Sequence, residues 1–392
     1  MEIRQRVTAA TAELIQLRRD FHAHPELGFQ EYRSQGIIFD YLAALGLKPE
    51  KIAGTGVVAH LKGDRPGPTL LLRSDMDALP IQEATGLPFA STRAGVMHAC
   101  GHDGHMAMLL VAARILTDLR PQLAGTVKLI FQPNEEDAGA WKMIDEGVMS
   151  NPEVDLACGI HLWAQCPTGR IDIVDGPQMA ASYYFDLQIK GHGGHAGFAH
   201  ESIDPVYIAS LIIQAVQGLQ TREVSALNPA AIMFTHMAAG SNATIIPQQV
   251  SLEGSIRFLY AEGEALFARF EDIVQHLCAA YRAEYELSFK KGNALLSNDP
   301  AAAARTRQAA AEVVGADQVT TRIRTMAGED FSDYLAHAPG VFAFVGCANS
   351  EKGASFPHHH PQFTIDEDAL AQGTELHLRC ALEFLSGAEK DW

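Results

Sequence analysis

The sequence predicts an α/β domain that is interrupted by a smaller inserted domain of βαββαβ order. Short apolar strands alternate with helices as far as His161, and this rhythm changes at Ser182. After Gly292 the chain returns to α/β character. Alternating strands and helices are typical of a sheet covered by helices. The length of 392 residues also favours more than one hydrophobic core.

The first domain begins with helices and continues with apolar strands. Met1 to Leu45 is predicted to be mostly helical, with a break at His24-Pro25, because Leu14, Leu17 and Phe21 recur at helical spacing. Four strands are predicted next, with a helix between the second and the third. The strands are Val57–Leu61, Thr69–Arg73, Val127–Phe131 and Asp155–His161, and the helix is His105–Leu119.

The inserted domain has the element order of the ferredoxin-like split unit. Its predicted strands are Tyr183–Ile189, Ala231–Met237, Val250–Phe258 and Tyr285–Lys290, and its helices are Asp204–Thr221 and Glu262–Tyr281. Polar, glycine-containing segments at 175–177 and 291–293 predict hinges. We therefore expect one domain over 1–178 and 293–392, and the inserted domain over 179–292.

Composition excludes several classes of protein. The net charge of −17 leaves no basic surplus to neutralise phosphates, so no nucleic-acid partner is expected. Six scattered cysteines do not form the pattern of a disulfide framework. The N-terminal segment lacks the features of a signal peptide, and no apolar run is long enough for a membrane span. These observations favour a reduced, cytoplasmic compartment and no membrane partner.

The segment Met97–His105 carries three histidines and one cysteine within eight residues. Cysteine and histidine are the usual ligands of zinc-like ions, and the neighbouring glycines let the backbone bend around an ion. The segment therefore predicts a metal site that includes Cys100 and His102. The alternative is a Cys100 nucleophile that is paired with His98 or His102.

Acids and further histidines follow other predicted strands. Glu135 and Glu136 come directly after a strand that ends at Pro133. With a metal present, one of them could bind the ion while the other accepts a proton from its water. His161 lies at another strand end, and Asp75 and Asp77 follow a third. These two aspartates could bind metal directly or orient a ligand histidine. A further histidine cluster occupies 358–360.

The segment 191–197, GHGGHAG, has some features of a dinucleotide-binding glycine loop. No acid stands at the end of a following second strand, and two histidines would be unusual beside a pyrophosphate. Nucleotide binding is therefore not favoured.

Seven motifs together resemble the metal-dependent N-acyl-amino-acid amidohydrolases. They are RRDFHAHPELGFQE, LLRSDMDALPIQE, MHACGHDGHMAML, FQPNEE, GIHLW, GHGGH and GEDF. That family includes hippurate hydrolase, bacterial aminoacylase-like enzymes and indole-acetyl-amino-acid hydrolases, and it is related to aminoacylase and glutamate carboxypeptidase. The resemblance covers nearly the whole chain. It implies a two-metal, exopeptidase-like catalytic domain with an inserted ferredoxin-like lid that also serves in dimerisation.

The resemblance also implies roles for particular residues. The implied metal ligands are Cys100, His102, Glu136, His161 and His359. Glu135 is implied as the general base, and His195 of the lid as a group that helps to hold the reacting carbonyl. Asn242 and Arg257 match lid residues that contact the substrate carboxylate. Asp77 is expected to orient a metal-binding side chain without binding the metal itself.

An N-acyl amino acid is the implied substrate, cleaved at its amide bond to a carboxylic acid and a free amino acid. The implied cofactor is a pair of divalent metal ions, with zinc or manganese favoured and cobalt or nickel as alternatives. A homodimer or homotetramer through the lid is expected. Two rival hypotheses are a cysteine hydrolase that uses Cys100 and a non-catalytic binding protein on the same fold.

Overall fold

The computed structural model describes residues 2–386 and divides into two compact units. The first unit comprises the chain up to Gly176, Ser297–Ile323 and the chain from Glu329 onward. The second unit comprises Pro177–Leu296 and the short segment Arg324–Gly328. The functional roles expected of the two predicted domains stay predictions.

Ten α-helices lie in the described chain. They are α1 (Ile3–Ala9), α2 (Thr11–Ala23), α3 (Tyr32–Ala44), α4 (His102–Asp118), α5 (Ala140–Asp145), α6 (Pro205–Gly218), α7 (Ala265–Ala280), α8 (Pro300–Val314), α9 (Phe331–Leu335) and α10 (Asp368–Phe384). Helix α2 ends at Ala23, which agrees with the break predicted at His24-Pro25. Within residues 2–386, none of the helices has the length and apolarity needed to cross a bilayer.

The described chain also forms sixteen strands. They are β1 (Glu50–Ile52), β2 (Gly56–Lys62), β3 (Arg65–Asp75), β4 (Ala124–Gln132), β5 (Leu156–Pro167), β6 (Ile171–Asp172), β7 (Gly176–Met179), β8 (Ala181–Lys190), β9 (Gly194–His195), β10 (Ala230–Ala239), β11 (Ile245–Ile246), β12 (Gln249–Phe258), β13 (Glu284–Lys291), β14 (Leu296–Asn298), β15 (Val319–Thr320) and β16 (Gly340–Ala348).

The first unit is built on an eight-stranded mixed sheet, which confirms the predicted α/β class. The strand order is β1-β2-β4-β3-β5-β16-β6-β15. Its centre is parallel, because β3 pairs in parallel with both β4 and β5, and β5 pairs in parallel with β16. Central strands buried on both faces are expected to be continuously apolar, and Leu70–Leu72 of β3 follows that pattern. Helix α4 packs against α2, α10 and β3, and its side chains are almost all buried.

The second unit contains the predicted βαββαβ succession, formed by β8, α6, β10, β12, α7 and β13. Its sheet is antiparallel and has the order β10-β12-β8-β13. The segment GHGGH does not lead into an α-helix. Instead β9 pairs with β11, and a 3₁₀ turn over Ala196–Glu201 follows. This backbone is unlike the helix N-terminus that binds a pyrophosphate.

Candidate metal centre

Three neighbouring strands deliver polar side chains to one edge of the large sheet. Asp75, the last residue of β3, pairs with Gln132 of β4. The register between β3 and β5 pairs Arg73 with Gly159, so His161 lies level with Asp75. In an open α/β sheet the carboxyl ends of parallel strands form the usual binding crevice. The loops after β3 and β4 and the N-terminus of α4 meet at this edge.

His102 is the first residue of α4 and is completely buried. Its Nδ1–H donates to the backbone carbonyl of Asp77 at 2.9 Å, and Asp77 Oδ1 lies 3.3 Å from the same nitrogen. In the neutral ring this bond leaves Nε2 as the lone-pair nitrogen, and that atom has no hydrogen-bond partner among the described residues. An imidazole held in one tautomer by a carboxylate or carbonyl is the usual arrangement of a metal-binding histidine.

Cys100 and His161 form the second part of the cluster. Cys100 Sγ lies 3.5 Å from His161 Nε2. His161 donates its Nδ1–H to the carbonyl of Leu162 at 2.7 Å, so its Nε2 also carries the lone pair. Ligand atoms of Cys100, His102 and His161 all lie within 4.8 Å of one another. The three side chains thus direct one sulfur and two imidazole Nε2 atoms to a common point.

Glu136 and His359 close the cluster from the other side. His359 Nε2 lies 3.4 Å from Glu136 Oε1, and both belong to a group with Cys100 whose ligand atoms are within 4.8 Å. The backbone N–H of His359 donates to the carbonyl of Ala99, the residue before Cys100, at 2.8 Å. This hydrogen bond connects the segment 358–360 with the loop that carries Cys100. Glu136 in turn donates its N–H to Asp77 Oδ2 at 3.0 Å.

The geometry distinguishes the three consecutive histidines. His358 is oriented away from the cluster, because its Nε2–H donates to the Leu162 carbonyl at 2.9 Å. His360 stacks on Phe356 with a ring separation of 4.5 Å. Only His359 of this run joins a group of metal-ligand type among the described residues.

Asp75 and His105 are close to His102 but are already satisfied by other partners. His105 Nδ1–H donates to Asp75 Oδ1 at 2.6 Å, and its Nε2 accepts from the Leu162 N–H at 2.9 Å. Asp75 Oδ2 accepts from Arg73. Because both nitrogens of His105 are used, His105 has no lone pair left for an ion. Of the two functions considered for Asp75, orientation of other side chains fits better than metal binding.

The electrostatics of the cluster favour added positive charge. Burial alone would lower the pKa of His102, but the carboxylates of Asp75, Asp77 and Glu136 outweigh it and raise the pKa to about 10. Burial, reinforced by the charges of Glu136 and Glu135, raises the pKa of the Cys100 thiol well above its usual range. A bound divalent cation would relieve both effects and ionise the thiol. The orphaned His102 Nε2 and Glu136 Oε1 fit the same interpretation.

Comparisons with known proteins identify the family of this chain. Residues 71–383 match the sequence profile described as peptidase family M20/M25/M40. The chain belongs to this family. It is 37% identical to thermostable carboxypeptidase 1 of Saccharolobus solfataricus, with 95% of each chain covered. It is also 39% identical to an N-acyl-L-amino acid amidohydrolase of Geobacillus stearothermophilus, over 74% of this chain and 79% of the relative.

A solved structure is similar over almost the whole length. It is the crystal structure of the Bacillus subtilis YXEP protein, described as a dinuclear metal-binding peptidase of the M20 family. The TM-score is 0.84 and the identity 34%, with 96% of this chain and 99% of that chain covered. The predicted family is therefore confirmed, and so is the prediction of a hydrolase of the metallopeptidase type.

The pKa values of Cys100 and His161 do not favour the cysteine-hydrolase alternative. A nucleophilic cysteine needs a lowered pKa, usually from a neighbouring imidazolium. Here the pKa of Cys100 is raised, and burial together with the neighbouring His105 and His358 lowers the pKa of His161 well below its ordinary value. The pair therefore does not form a thiolate and an imidazolium. All six cysteines are free and buried, in agreement with the absence of a disulfide pattern.

Glu135 lies beside the metal-ligand cluster at the start of the 3₁₀ turn Glu135–Asp137, and only 7% of its surface is exposed. Its carboxylate is within 4.8 Å of ligand atoms of His102 and Glu136. Burial, followed by the charges of Glu329, Glu136 and Asp330, raises its pKa well above the ordinary value. A carboxylate whose pKa is raised accepts a proton more readily than an ordinary one, which suits a general base.

The structure reveals a buried ionic cluster behind Glu135 that the sequence reasoning did not predict. Arg73 donates to Glu329 at 2.9 Å and to Asp330 at 3.0 Å, and it also donates to Gln132 Oε1 at 3.0 Å. Glu329 and Asp330 also lie within 4.8 Å of Glu135. A signal was available, because Arg73 interrupts an otherwise apolar strand and GEDF was among the motifs of the resemblance. Neither observation, however, shows that the two segments meet.

Three further predicted site residues belong to the second unit. His195 is exposed, and its Nδ1 accepts from the Gly197 N–H at 3.0 Å. Its backbone pairs with Ile245, three residues after Asn242, so the structure joins the His195 and Asn242 loops. Asn242 lies in the lining of an open cavity of about 350 Å³. Arg257 lies on β12 and donates to the carbonyl of Met326 at 2.8 Å.

Proposed function

We propose that this M20-family protein is a metal-dependent amidohydrolase that cleaves the amide bond of N-acyl amino acids. The observation that carries the proposal is the buried cluster of sulfur, imidazole and carboxylate ligands with a second, high-pKa carboxyl group beside it. Relatives named for N-acyl-amino-acid hydrolysis support the choice of substrate class.

In this proposal two divalent cations would be held by Cys100, His102, Glu136, His161 and His359. Sulfur, imidazole and carboxylate together suit zinc, and manganese, cobalt or nickel are the alternatives. The ligand atoms form two overlapping groups that share Cys100, and these groups would hold the pair of ions. Asp77 orients His102 through Nδ1 and supports Glu136 through its N–H, so it fixes one ligand on each side.

Two metal ions bound here would polarise the amide carbonyl and acidify a water molecule. The Glu135 carboxylate takes a proton from the attacking water and then donates it to the departing amine nitrogen. His195 contributes a hydrogen-bond donor to the reacting carbonyl. Because Nδ1 of His195 is an acceptor for the Gly197 N–H, the neutral ring carries its proton on Nε2, which leaves that atom as the donor.

The remaining assignments follow the same proposal. Asn242 and Arg257 bind the free carboxylate of the amino acid, because a planar guanidinium matches a carboxylate in two hydrogen bonds. The second unit acts as a lid and as the interface of a homodimer or homotetramer. Hippurate is one candidate substrate, and the cytoplasm is the proposed compartment. We propose no nucleic-acid or membrane partner.

Removal of metal tests the proposal directly. We expect dialysis against a chelator to abolish hydrolysis of N-acetyl and N-benzoyl amino acids, and added zinc, manganese, cobalt or nickel to restore it. Metal content is measured by mass spectrometry alongside activity. Full turnover by verified metal-free protein would refute the metal-dependent mechanism. A parallel panel of dipeptides decides whether peptide cleavage, suggested by the name of the carboxypeptidase relative, is the stronger activity.

Substitution of Asp77 tests how the ligands are held. Asp77→Ala removes the acceptor for the Glu136 N–H and the carboxylate beside His102 Nδ1. Loss of such a supporting group typically lowers metal affinity about 10- to 100-fold, and we expect that range in a competition titration with a chromophoric chelator. Asp172→Ala is the control, because Asp172 is a buried carboxylate on β6, which β16 separates from β5. Equal losses in both variants would contradict a specific role for Asp77.

A further inference from the structure

The segment Glu26–Glu31 between α2 and α3 ends in a buried carboxylate, Glu31, that the proposed chemistry leaves without a role. We call this segment the strap. It belongs to the HPELGFQE motif, yet none of its residues is a proposed ligand or base. Its backbone contacts the loop after β3, where the Ala78 N–H donates to the Glu26 carbonyl at 2.8 Å and Leu27 forms a parallel bridge with Ala78.

The strap also binds the turn that carries the two glutamates. Glu31 is completely buried, and its Oε1 accepts from the backbone N–H of Asn134 at 3.0 Å. Its Oε2 accepts from the Thr55 hydroxyl at 2.5 Å, which fixes the carboxylate in this orientation. Asn134 directly precedes Glu135 and Glu136. The hydrogen bond to Glu31 therefore holds the residue that directly precedes the 3₁₀ turn Glu135–Asp137.

That turn has an uncommon backbone conformation at both of its ends. Asn134 has φ 57° and ψ 42°, and Ala138 has φ 57° and ψ 65°, so the turn begins and ends with left-handed residues other than glycine. Residues with a Cβ adopt this region at a cost, smaller for asparagine than for alanine, that compensating contacts can offset. A hydrogen bond from Asn134 to a buried carboxylate supplies such a contact.

Gly28 provides a second contact with the same residue. A Cβ on Gly28 would lie 1.9 Å from Asn134 Oδ1 and 2.7 Å from its Cγ. Only glycine therefore leaves room for the Asn134 side chain beside the strap. The strap fits Asn134 at two points, a hydrogen bond to its backbone and a close steric fit to its side chain.

We propose that the strap, through Glu31 and Gly28, is the positioning element that holds Asn134 in its left-handed conformation and so places Glu135 and Glu136 at the metal centre. Neither Glu31 nor Gly28 is a catalytic residue in this proposal. The consequence for catalysis rests on the proposed function, whereas the control of the 134–138 backbone does not.

The hydrogen-bonding role of Glu31 does not require its charge. Burial raises the pKa of Glu31 to about 7, although the hydrogen bonds from Thr55 and Asn134 oppose this shift. The protonated acid and the amide of glutamine both keep an oxygen that can accept from the Asn134 N–H. Glu31→Gln should therefore preserve the positioning, whereas Glu31→Met, of similar length, should remove it.

Hydrogen exchange measured by mass spectrometry tests the strap without reference to activity. We expect Glu31→Met and Gly28→Ala to accelerate exchange in peptides that cover 134–138, and Glu31→Gln to leave it near the wild-type rate. The matched control is Asp172→Leu. Asp172 is a buried carboxylate that also accepts from one threonine hydroxyl and from backbone N–H groups, but on β6. This control should leave 134–138 unchanged.

Kinetics on the metal-loaded enzyme complete the test. We expect Glu31→Met and Gly28→Ala to lower kcat about 10- to 100-fold with little change in KM, the loss typical of a displaced catalytic group. Glu31→Gln should restore most of the turnover. If Glu31→Met does not fold, Gly28→Ala decides the result, because it displaces the same residue from the other side.

Two results would overturn the proposal. One is unchanged exchange over 134–138 in the folded variants, and the other is an equal acceleration in Asp172→Leu. Failure of the proposed function would look different. In that case wild-type protein would bind no divalent metal and cleave no N-acyl amino acid. The exchange rates over 134–138 would still show whether the strap positions that turn.

Discussion

Glu135→Gln should retain its metal ions and lose most of its turnover. The amide keeps the size of the side chain but cannot accept a proton from water, and a well-placed general base typically contributes about 10²- to 10⁴-fold. We expect a decrease of kcat in that range, measured on N-acyl amino acids. Metal stoichiometry and thermal unfolding should stay close to those of the wild type, because Glu135 is not among the proposed ligands.

Two neighbouring variants make this prediction specific. Glu136→Gln should lower metal affinity first and turnover as a consequence, because a carboxylate oxygen of Glu136 lies within 4.8 Å of ligand atoms of Cys100 and His359. Asp137→Asn is the matched control, since Asp137 is exposed on the same 3₁₀ turn. If Glu135→Gln lost metal while Glu136→Gln kept it, the two assigned roles would have to be exchanged.

The elements that sequence predicted well are those with strong local periodicity. Strand β4 was expected at Val127–Phe131 and covers Ala124–Gln132, because a short apolar run has few alternatives inside an α/β domain. Helix α4 was expected at His105–Leu119, but it begins at His102. The reason is Gly101, whose φ of 97° lets the cysteine loop turn directly into the helix. That earlier start places His102 at the helix N-terminus.

What sequence did not predict depends on contacts between distant segments. The short segment Arg324–Gly328 joins the second unit, because the Ala180 N–H donates to the Ala327 carbonyl and Met179 pairs with Thr325. No local pattern at 324–328 indicates this. The cluster of Arg73 with Glu329 and Asp330 is similar, since its members are separated by more than two hundred residues of chain.

The candidate site shows the same division between local and long-range information. Residue type and spacing were enough to select Cys100, His102 and the two glutamates as candidates. Spacing could not decide among the histidines of 358–360, and the resemblance was needed to select His359. The structure adds a physical basis, because His358 donates to the Leu162 carbonyl and only His359 of the three lies near Glu136.

His195→Ala should lower kcat sharply while metal content and folding stay unchanged. His195 is exposed in the second unit, and its proton is directed to Nε2 by the Gly197 N–H, so the change removes a donor without opening a core. Loss of one donor to a developing oxyanion typically costs about 10²- to 10³-fold. His192→Ala is the control, because His192 is an exposed histidine of the same GHGGH motif.

The subunit that supplies His195 can be determined by mixing two inactive variants. If the histidine acts across a dimer, heterodimers of His195→Ala and Glu135→Gln contain one site with both wild-type groups, and part of the activity should return. Subunit exchange is verified by native mass spectrometry of differently tagged chains. Verified heterodimers that stay inactive would exclude action across the dimer and place the histidine in its own subunit's site. Wild-type turnover by His195→Ala would show that this histidine has no part in the reaction.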